Sequence, residues 1–579
     1  MRNRKYAFDA RREILAAGPL QTLRDLLTSA ERFHTGKTAF REVSGQTATD
    51  YPYDRLVLDA RALGTALLAN GAEHRHAVLL GENCALWVVS FLAVTCTGVA
   101  VPLDKELPLH DLEQLTRSSE AGMIFTSPKY FETAKQLRAA VPSVEQIVLW
   151  GTPEQAGEDA VSVQTLIAQG LALLDAGDTR FADRTVRPDD LASIQFTSGT
   201  TGANKGVRIT HRNICANINA IAQTVPVEPV SFSVLPLNHT LESDCHVLSA
   251  LYFGVTVCFN NSLKRMMRNL QLFRPGMAVV VPLFIDEIYN GIWINARKNG
   301  REKQLKRALR LSRTLLFFGI DARDRLFGPV RESLGGELRL LVCGGAPINT
   351  RTARGLYDMG IDIINGYGIT ECSPLVTVNL KGRRLLESVG APVPGVDIRI
   401  ANANVAGVGE ILVRGDNVTG GYYNDPDSNA VSFEDGWFCT GDYGCIDRRG
   451  RLWIAGRKKN LIILENGKNV FPEEIESAVL NGIDYIKEVV VYEAAFTAHG
   501  YKRRHIAATV RVKPESPVAA LDEQARKQQI CADLQRVNRQ LAAYKRITAV
   551  HITEREFRKN AAQKVIRTNV VSKGNYEFI

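Results

Sequence analysis

Apolar runs of strand length alternate with helix-length patterns through roughly the first 380 positions. The runs at 77–80, 191–196, 277–281 and 338–342 read as buried strands. Strands separated by helical segments predict a mostly parallel sheet with helices on both faces. The stretch 84–103 has 20 residues without a charge, about the length of a bilayer span. It contains Ser90, Thr95, Thr97, Gly98 and Pro102, and Glu82 and Asp104 close it on both sides. It therefore reads as a buried helix over 86–96 followed by a buried strand over 98–101. The Gly-, Ala-, Asp- and Glu-rich stretch 151–190 reads as a surface excursion.

After position 385 the pattern changes to short strands and Gly-rich turns, as in SVGAPVPGVDIRI and GVGEILVRG, with a hairpin closing through Arg448, Arg449 and Gly450. Beyond 456 a compact α+β pattern follows. It has a helix from Pro472, strands at 488–492 and 505–512, and a helix over 523–543, in which Ile530, Leu534, Val537 and Leu541 recur at helical spacing. The expected fold is α/β, with a large N-terminal part over 1–455, its β-rich subdomain over about 385–455, and a small α+β part over 456–579.

With 579 residues, 45% hydrophobic and 23% charged, the chain cannot be disordered, collagen-like or a coiled coil throughout. The net charge of +9 is uneven, because positions 456–579 hold 22 basic and 14 acidic residues. A basic segment of this kind suits a polyphosphate, a membrane surface or a nucleic acid, and charge alone does not choose. Ten scattered cysteines without a CxxC pair suggest reduced thiols and a cytosolic setting. The start, MRNRKYAFDARRE, is too charged for a signal peptide.

Three runs carry chemistry. FTSGTTGANKGV, over 196–207, offers backbone N–H groups, hydroxyls and the cation of Lys205, the parts needed to hold a polyphosphate. It is not a Walker A loop, since Gly206 and not Ser or Thr follows the lysine. NGYGITE, over 365–371, presents an aromatic face at Tyr367, a hydroxyl at Thr370 and a carboxylate at Glu371, which suit a base, a phosphate and a divalent cation. In TGDYGCIDRRGRLWIAGRKKN, over 440–460, Asp442 ends a strand in this reading, where it can accept hydrogen bonds from ribose hydroxyls with Arg457 in support.

In this order and at these intervals the three runs resemble the adenylate-forming superfamily of acyl-CoA synthetases, adenylation domains and luciferases, over nearly the whole chain. The resemblance implies that Thr197, Ser198, Gly199, Thr200, Thr201, Gly202 and Lys205 form the loop gripping the β- and γ-phosphates of ATP. Gly345, Ala346 and Pro347, after Gly344, would line the adenine and acyl sites. Asn365, Gly366, Tyr367, Gly368 and Thr370 would bind the nucleotide, with Tyr367 on adenine and Thr370 on the α-phosphate. Glu371 and Thr197 would hold Mg2+, and Asp442 and Arg457 the ribose. Lys459 would be the hinge of the C-terminal domain, while Gly467 and Lys468 would face CoA. Lys564 in FRKNAAQKVIR takes the place of the catalytic lysine. Asn204 and Gln563 stand where the family commonly has proline and glycine, which alters the paths of both loops.

LPLNHTLE, over 235–242, is similar to the LPLHHTxE run of long-chain fatty acyl-CoA synthetases, with His239 kept and Asn238 replacing a histidine. VPLFIDEIYNGI resembles their next segment. The resemblance implies a ligase that joins a medium- or long-chain fatty acid to CoA through an acyl-adenylate. Two alternatives remain open, a ligase loading an acyl carrier protein and a nucleotide-binding scaffold without turnover. No nucleic-acid partner is implied, and membrane contact would be at most peripheral.

Overall fold

The computed structural model describes residues 14–15, 18–198, 204–380, 385–464, 468–498, 501–559, 565–567, 570 and 576–579. Two sheets with parallel centres form the N-terminal part. One has seven strands, in the spatial order Val161–Ser162, Gln146–Leu149, Met123–Thr126, His76–Leu80, Val99–Pro102, Leu191–Ser198 and Asn204–Thr210, with only the last pair antiparallel. The other has nine strands. Its parallel centre runs Asp362–Gly368, Leu340–Cys343, Met277–Val280, Val230–Ser233, Thr256–Phe259 and Thr38–Ser44, flanked by antiparallel edges. Strands buried on both faces must be largely apolar, which is why His76–Leu80, Met123–Thr126 and Met277–Val280 carry so little alternation.

The uncharged run 84–103 is the helix Ala85–Thr97 followed by the strand Val99–Pro102. The helix is buried nearly all round, with Trp87 stacked on Phe91 at 5.3 Å. Among the described residues no helix is long and apolar enough to cross a membrane. All ten cysteines are free.

An antiparallel sheet follows, built of Val396–Ala401, Gly409–Gly415, Phe433–Glu434, Trp437–Ile446 and Leu452–Arg457. The C-terminal part is a four-stranded sheet, Ile486–Ala498, Tyr501–Val512, Ala549–Ile552 and Glu577–Phe578. The helices Pro472–Gly482 and Glu523–Asn538 cover it, closing a core with Ile475, Val479, Ile530, Leu534 and Val537.

Four expectations need correction. Within 151–190 lies the helix Val163–Asp175, which packs on Tyr53–Ala69 through Val163, Leu166, Ile167 and Gly170. The approach is so close that a Cβ on Gly170 would stand 1.8 Å from the Ala62 carbonyl oxygen. Polar flanks hid that stripe. The last helix ends at Asn538, not 543, because the Asn538 side chain turns aside to bond both the N–H and the C=O of Ile547, at 2.9 and 2.8 Å. The strand expected over 488–492 runs from 486 to 498 in a long hairpin. Asp442 lies inside the strand Trp437–Ile446, not at its end.

Candidate functional site

The parallel strands of the larger sheet are in register, so that Ser233 pairs with Phe259, Val280 with Cys343, and Cys343 with Asn365. The chain segments beginning at 234, 281, 344 and 366 therefore leave the same, carboxyl end of the sheet, where open α/β sheets bind ligands. Asn83 ties the smaller sheet to this end. Its Nδ2 donates to the Leu235 carbonyl at 2.6 Å and to Ser233 Oγ at 3.2 Å, and its Oδ1 accepts the Leu237 N–H at 3.1 Å. These bonds hold the segment that carries His239. Asn83 was not among the sequence candidates, and a lone Asn after a strand offers no spacing by which to find it.

The polyphosphate run is a β-hairpin, Leu191–Ser198 paired with Asn204–Thr210, and Thr197 faces Lys205 across it. Gly199, Thr200, Thr201 and Gly202, with the Ser198 side chain, lie outside the described residues. The segment after Val418 docks on the outer strand, with Arg208 N–H to Gly421 O at 3.0 Å and Tyr423 N–H to Gly206 O at 2.7 Å. This brings Tyr422 to the site. Lys205 Nζ lies 5.0 Å from the Tyr422 ring centre, a cation–π distance, and the Tyr422 hydroxyl donates to Glu371 Oε1 at 3.0 Å. Burial and the Glu371 carboxylate push the Tyr422 hydroxyl far up, so it remains a donor at neutral pH.

Two asparagines clamp the turn Thr370–Cys372, and a third holds the segment 416–418. Asn217 Nδ2 donates to the Cys372 carbonyl at 2.8 Å while its Oδ1 accepts the Leu375 N–H at 2.9 Å. Asn417 Nδ2 donates to the same Cys372 carbonyl at 3.0 Å, and Asn213 Nδ2 holds Asp416 O and Val418 O. The Glu371 backbone is fixed as well, since its carbonyl accepts the Thr419 N–H at 2.8 Å.

Tyr367, Asp442 and Arg457 meet. Asp442, 3% exposed, accepts the Tyr367 hydroxyl at 2.7 Å on one oxygen and lies 2.9 Å from Arg457 Nε on the other. Asp442 and Arg457 are direct partners on adjacent strands, which sets the pair without any loop. Burial, and then the Asp442 charge, push the Tyr367 hydroxyl well above its usual range. Asn365 is a brace. Its amide donates to Leu386 O and Ser388 O, and its Oδ1 accepts from Asn379. Gly366 and Gly368 stand in the same strand, and a Cβ at 368 would be 2.0 Å from the Pro374 carbonyl oxygen, so chain packing requires that glycine. Gly345, Ala346 and Pro347 are exposed in the turn after Leu340–Cys343.

His239 caps a short helix, Thr240–Glu242, that continues into a π-helical segment, Ser243–Leu248. Behind it Glu242 Oε1 and His246 Nδ1 are 2.9 Å apart, both side chains fully buried. Lys459 sits in the single turn Lys458–Asn460, and desolvation, with Arg457 nearby, lowers its pKa from the usual lysine value. The Lys468 ammonium is 4.6 Å from the Tyr544 ring centre. Gly467, Gln563 and Lys564 lie outside the described residues. Lys559 and Val565, which bracket the last two, pair as an isolated β-bridge. Among the described residues no group of three or more His, Cys, Asp or Glu could hold a metal. A magnesium ion at Glu371 and Thr197 would therefore take most of its ligands from phosphate and water, as this ion commonly does.

Fold and site together define an α/β protein that sets an aromatic against a cross-strand carboxylate–arginine pair, near a lysine-bearing hairpin, the fittings of a nucleotide site. The chain belongs to the AMP-binding enzyme family, whose pattern matches residues 26–423, and the family's C-terminal domain matches residues 459–576. It is similar to the long-chain-fatty-acid–CoA ligase FadD15 of Mycobacterium bovis, 29% identical over 79% of this chain and 76% of that one. Similarity extends to the peroxisomal long chain acyl-CoA synthetase 6 of Arabidopsis thaliana, 30% identical over 78% of this chain and 68% of the relative. Among solved structures it resembles the anthranilate CoA ligase AuaEII in complex with anthranoyl-AMP, with a TM-score of 0.75, 20% identity, and 95% and 96% of the two chains covered.

Proposed function

We propose that this protein is an AMP-forming ligase that activates a long-chain fatty acid as its acyl-adenylate, releasing pyrophosphate, and then passes the acyl group to CoA. The observation that carries the reading is that the strand and turn over 362–372 join both sets of contacts, Glu371 to Tyr422 and Lys205, and Tyr367 to Asp442 and Arg457. The relatives named above are CoA ligases, which favours CoA over a carrier protein as acceptor. The division into residues 1–455 and 456–579 is part of the proposal.

A carboxylate is a poor electrophile, so the fatty acid must first attack the α-phosphorus of ATP and become a mixed anhydride. Negative charge on the phosphoryl oxygens is the barrier, and preorganised cations lower it. Thr197 and Lys205, with the hairpin turn, grip the β- and γ-phosphates, and Lys564 meets the α-phosphate oxygens. Asp442 accepts the ribose hydroxyls through lone pairs left by Tyr367 and Arg457. Glu371, oriented by Tyr422, and Thr197 would hold Mg2+, which would supply positive charge to offset that of the phosphates. His239, Gly345 and Ala346 border the acyl carboxylate. For the second half-reaction the C-terminal domain turns about Lys459, withdraws Lys564 and brings the segment of Gly467 and Lys468 to the pantetheine thiol.

The test is ATP–pyrophosphate exchange dependent on added fatty acid, followed by AMP release with CoA or with holo-carrier protein, across acids of eight to eighteen carbons. Each methylene buried in an apolar pocket adds about 0.8 kcal/mol, so the specificity constant is expected to rise with chain length. Acetate or benzoate outperforming every acid in the panel would refute the long-chain reading. Absence of exchange with any acid would leave the scaffold.

A further inference from the structure

The helix Leu109–Ser118 ends in a left-handed turn. The Glu120 N–H bonds the Arg117 carbonyl at 3.1 Å, and the Ala121 N–H reaches back to the Thr116 carbonyl at 3.4 Å. This pair of bonds holds Glu120 at a φ of +53°. Glycine is the residue that such a place favours, because a Cβ crowds the left-handed backbone. The helices Tyr53–Ala69, Val163–Asp175, Pro282–Lys298 and Thr350–Asp358 end in the same pattern of bonds, with Gly71, Gly177, Gly300 and Gly360 in that place. A carboxylate is disfavoured there for a second reason, since it meets the negative end of the helix dipole. Both local rules therefore oppose Glu120, and an exposed position offers it no burial in return.

What favours it lies 303 positions further along the chain. The Tyr423 hydroxyl donates to Glu120 Oε2 at 2.6 Å, and Asn424 Nδ2 makes a long contact of 3.5 Å with Oε1. The Tyr423 ring packs against the apolar side chains beneath the helix and meets the His76 ring edge to face at 5.6 Å. Burial, and then the Glu120 carboxylate, push the Tyr423 hydroxyl up to about 12, so it stays a donor at neutral pH. The backbone of the same residue is docked on the lysine-bearing hairpin, through its N–H to Gly206 O, directly beside Lys205. Its neighbour Tyr422 lies under the Lys205 ammonium and bonds Glu371. The far end of this docked segment is thus tied to a helix end of the smaller sheet by one charge-assisted hydrogen bond.

We propose that Glu120 is a positioning residue for the phosphate-gripping hairpin, holding the segment 419–423 against the outer strand through Tyr423 and so fixing Lys205 for the β- and γ-phosphates of ATP. Glu120 touches no substrate and acts only through the tyrosine. The assignment rests on the role given to the hairpin under the ligase reading. Its consequence is selective, because AMP lacks the two phosphates that the hairpin would grip. Loss of the strut should therefore weaken ATP and spare AMP. Its effect on stability should have the opposite sign, since removing Glu120 removes a strained backbone and an unfavourable charge.

The experiment is calorimetric titration of the full chain with ATP and Mg2+, and separately with AMP, in the absence of fatty acid and CoA, beside a thermal midpoint for each variant. Glu120→Gly should weaken ATP about three- to tenfold, the worth of one hydrogen bond, and leave AMP within about twofold. Its thermal midpoint should equal or exceed that of wild type, because glycine suits the turn. Tyr423→Phe should show the same ATP loss, and the double variant no more than either single, since both remove one bond. Glu120→Gln keeps an acceptor oxygen and should recover most of the affinity. The proposal is overturned if Glu120→Gly binds ATP as wild type does, or if ATP and AMP weaken together. It is also overturned if the midpoint falls with the affinity, if the two single losses add, or if wild type binds ATP no more tightly than AMP. Failure of the ligase reading shows elsewhere, as a wild type without fatty-acid-dependent pyrophosphate exchange, a reaction that this titration does not use.

Discussion

At the scale of single residues, the carboxylate of Glu371 is set by one hydrogen bond from Tyr422 and by a backbone pinned to Thr419. Glu371→Gln keeps the volume and removes the charge, so activity should fall more than about 100-fold at unchanged thermal midpoint. Near-normal turnover at saturating magnesium would reject the assignment. Tyr422→Phe keeps the ring under Lys205 and deletes the hydroxyl. A hydrogen bond to a charged group contributes about 1.5–3 kcal/mol, so kcat/KM should fall roughly 10- to 100-fold with binding of the fatty acid unaffected. Equal kinetics for Tyr422→Phe and wild type would mean that the hydroxyl does not orient Glu371. Thr197, Lys205, Tyr367, Glu371, Asp442 and Arg457 were legible because their residue types sit in short runs of recognisable order. Tyr422 was not, since its partner Glu371 is 51 positions away and only the docking of one segment on a hairpin edge joins them.

At the scale of elements, close approach and burial decide the outcomes. Gly170→Ala forces a methyl group into the Ala62 carbonyl, and the helices Val163–Asp175 and Tyr53–Ala69 must separate. Overpacking of this kind costs about 1–3 kcal/mol, measurable as a lower urea midpoint. In the π-helical segment Ser243–Leu248, burial pushes the Asp244 carboxyl up to about 7, against a gain from the Ser243 hydroxyl at 2.8 Å. An acid whose folded value exceeds its unfolded value of 3.8 binds a proton in the fold that the unfolded chain has lost, so stability falls as pH rises from about 4 to 7. Asp244→Asn removes that dependence. Its thermal midpoint relative to wild type should therefore rise between pH 5 and pH 8, and a pH-independent difference would show that the carboxyl ionises freely. Helices and strands with unbroken apolar runs, such as Ala85–Thr97 and Met277–Val280, were visible in the sequence. The helix in 151–190 was obscured by its polar flanks, and the end at Asn538 depends on a bond to Ile547 that no local pattern announces.

At the scale of the whole molecule, the C-terminal part touches the larger sheet's helix Thr350–Asp358. Thr350 Oγ1 bonds Asn481 Oδ1 at 3.2 Å, and Arg351 pairs with Asp484. Tyr443 also meets Phe471 ring to ring at 5.7 Å. Polar contacts such as the first two are compatible with a domain that rotates between half-reactions. Lys564→Ala should nearly abolish ATP–pyrophosphate exchange and spare thioester formation from supplied acyl-adenylate. A bulky side chain at Gly467 should do the reverse. If both variants lost the same half-reaction, the rotation or the placement of Lys564 would have to be given up.

By itself the sequence determined the α/β class, the change of texture near 385, and the three runs proposed to bind nucleotide, because apolar periodicity and residue type are local properties. Only the tertiary structure decided which of those residues act together. Parallel register brings the segments after positions 233, 280, 343 and 365 to one edge. Cross-strand pairing sets Arg457 against Asp442. Docking of 419–423 on the hairpin adds Tyr422. The physical reason is common to all three. Hydrogen-bond register and burial join residues far apart in the chain, and neither is written in the spacing of any one segment.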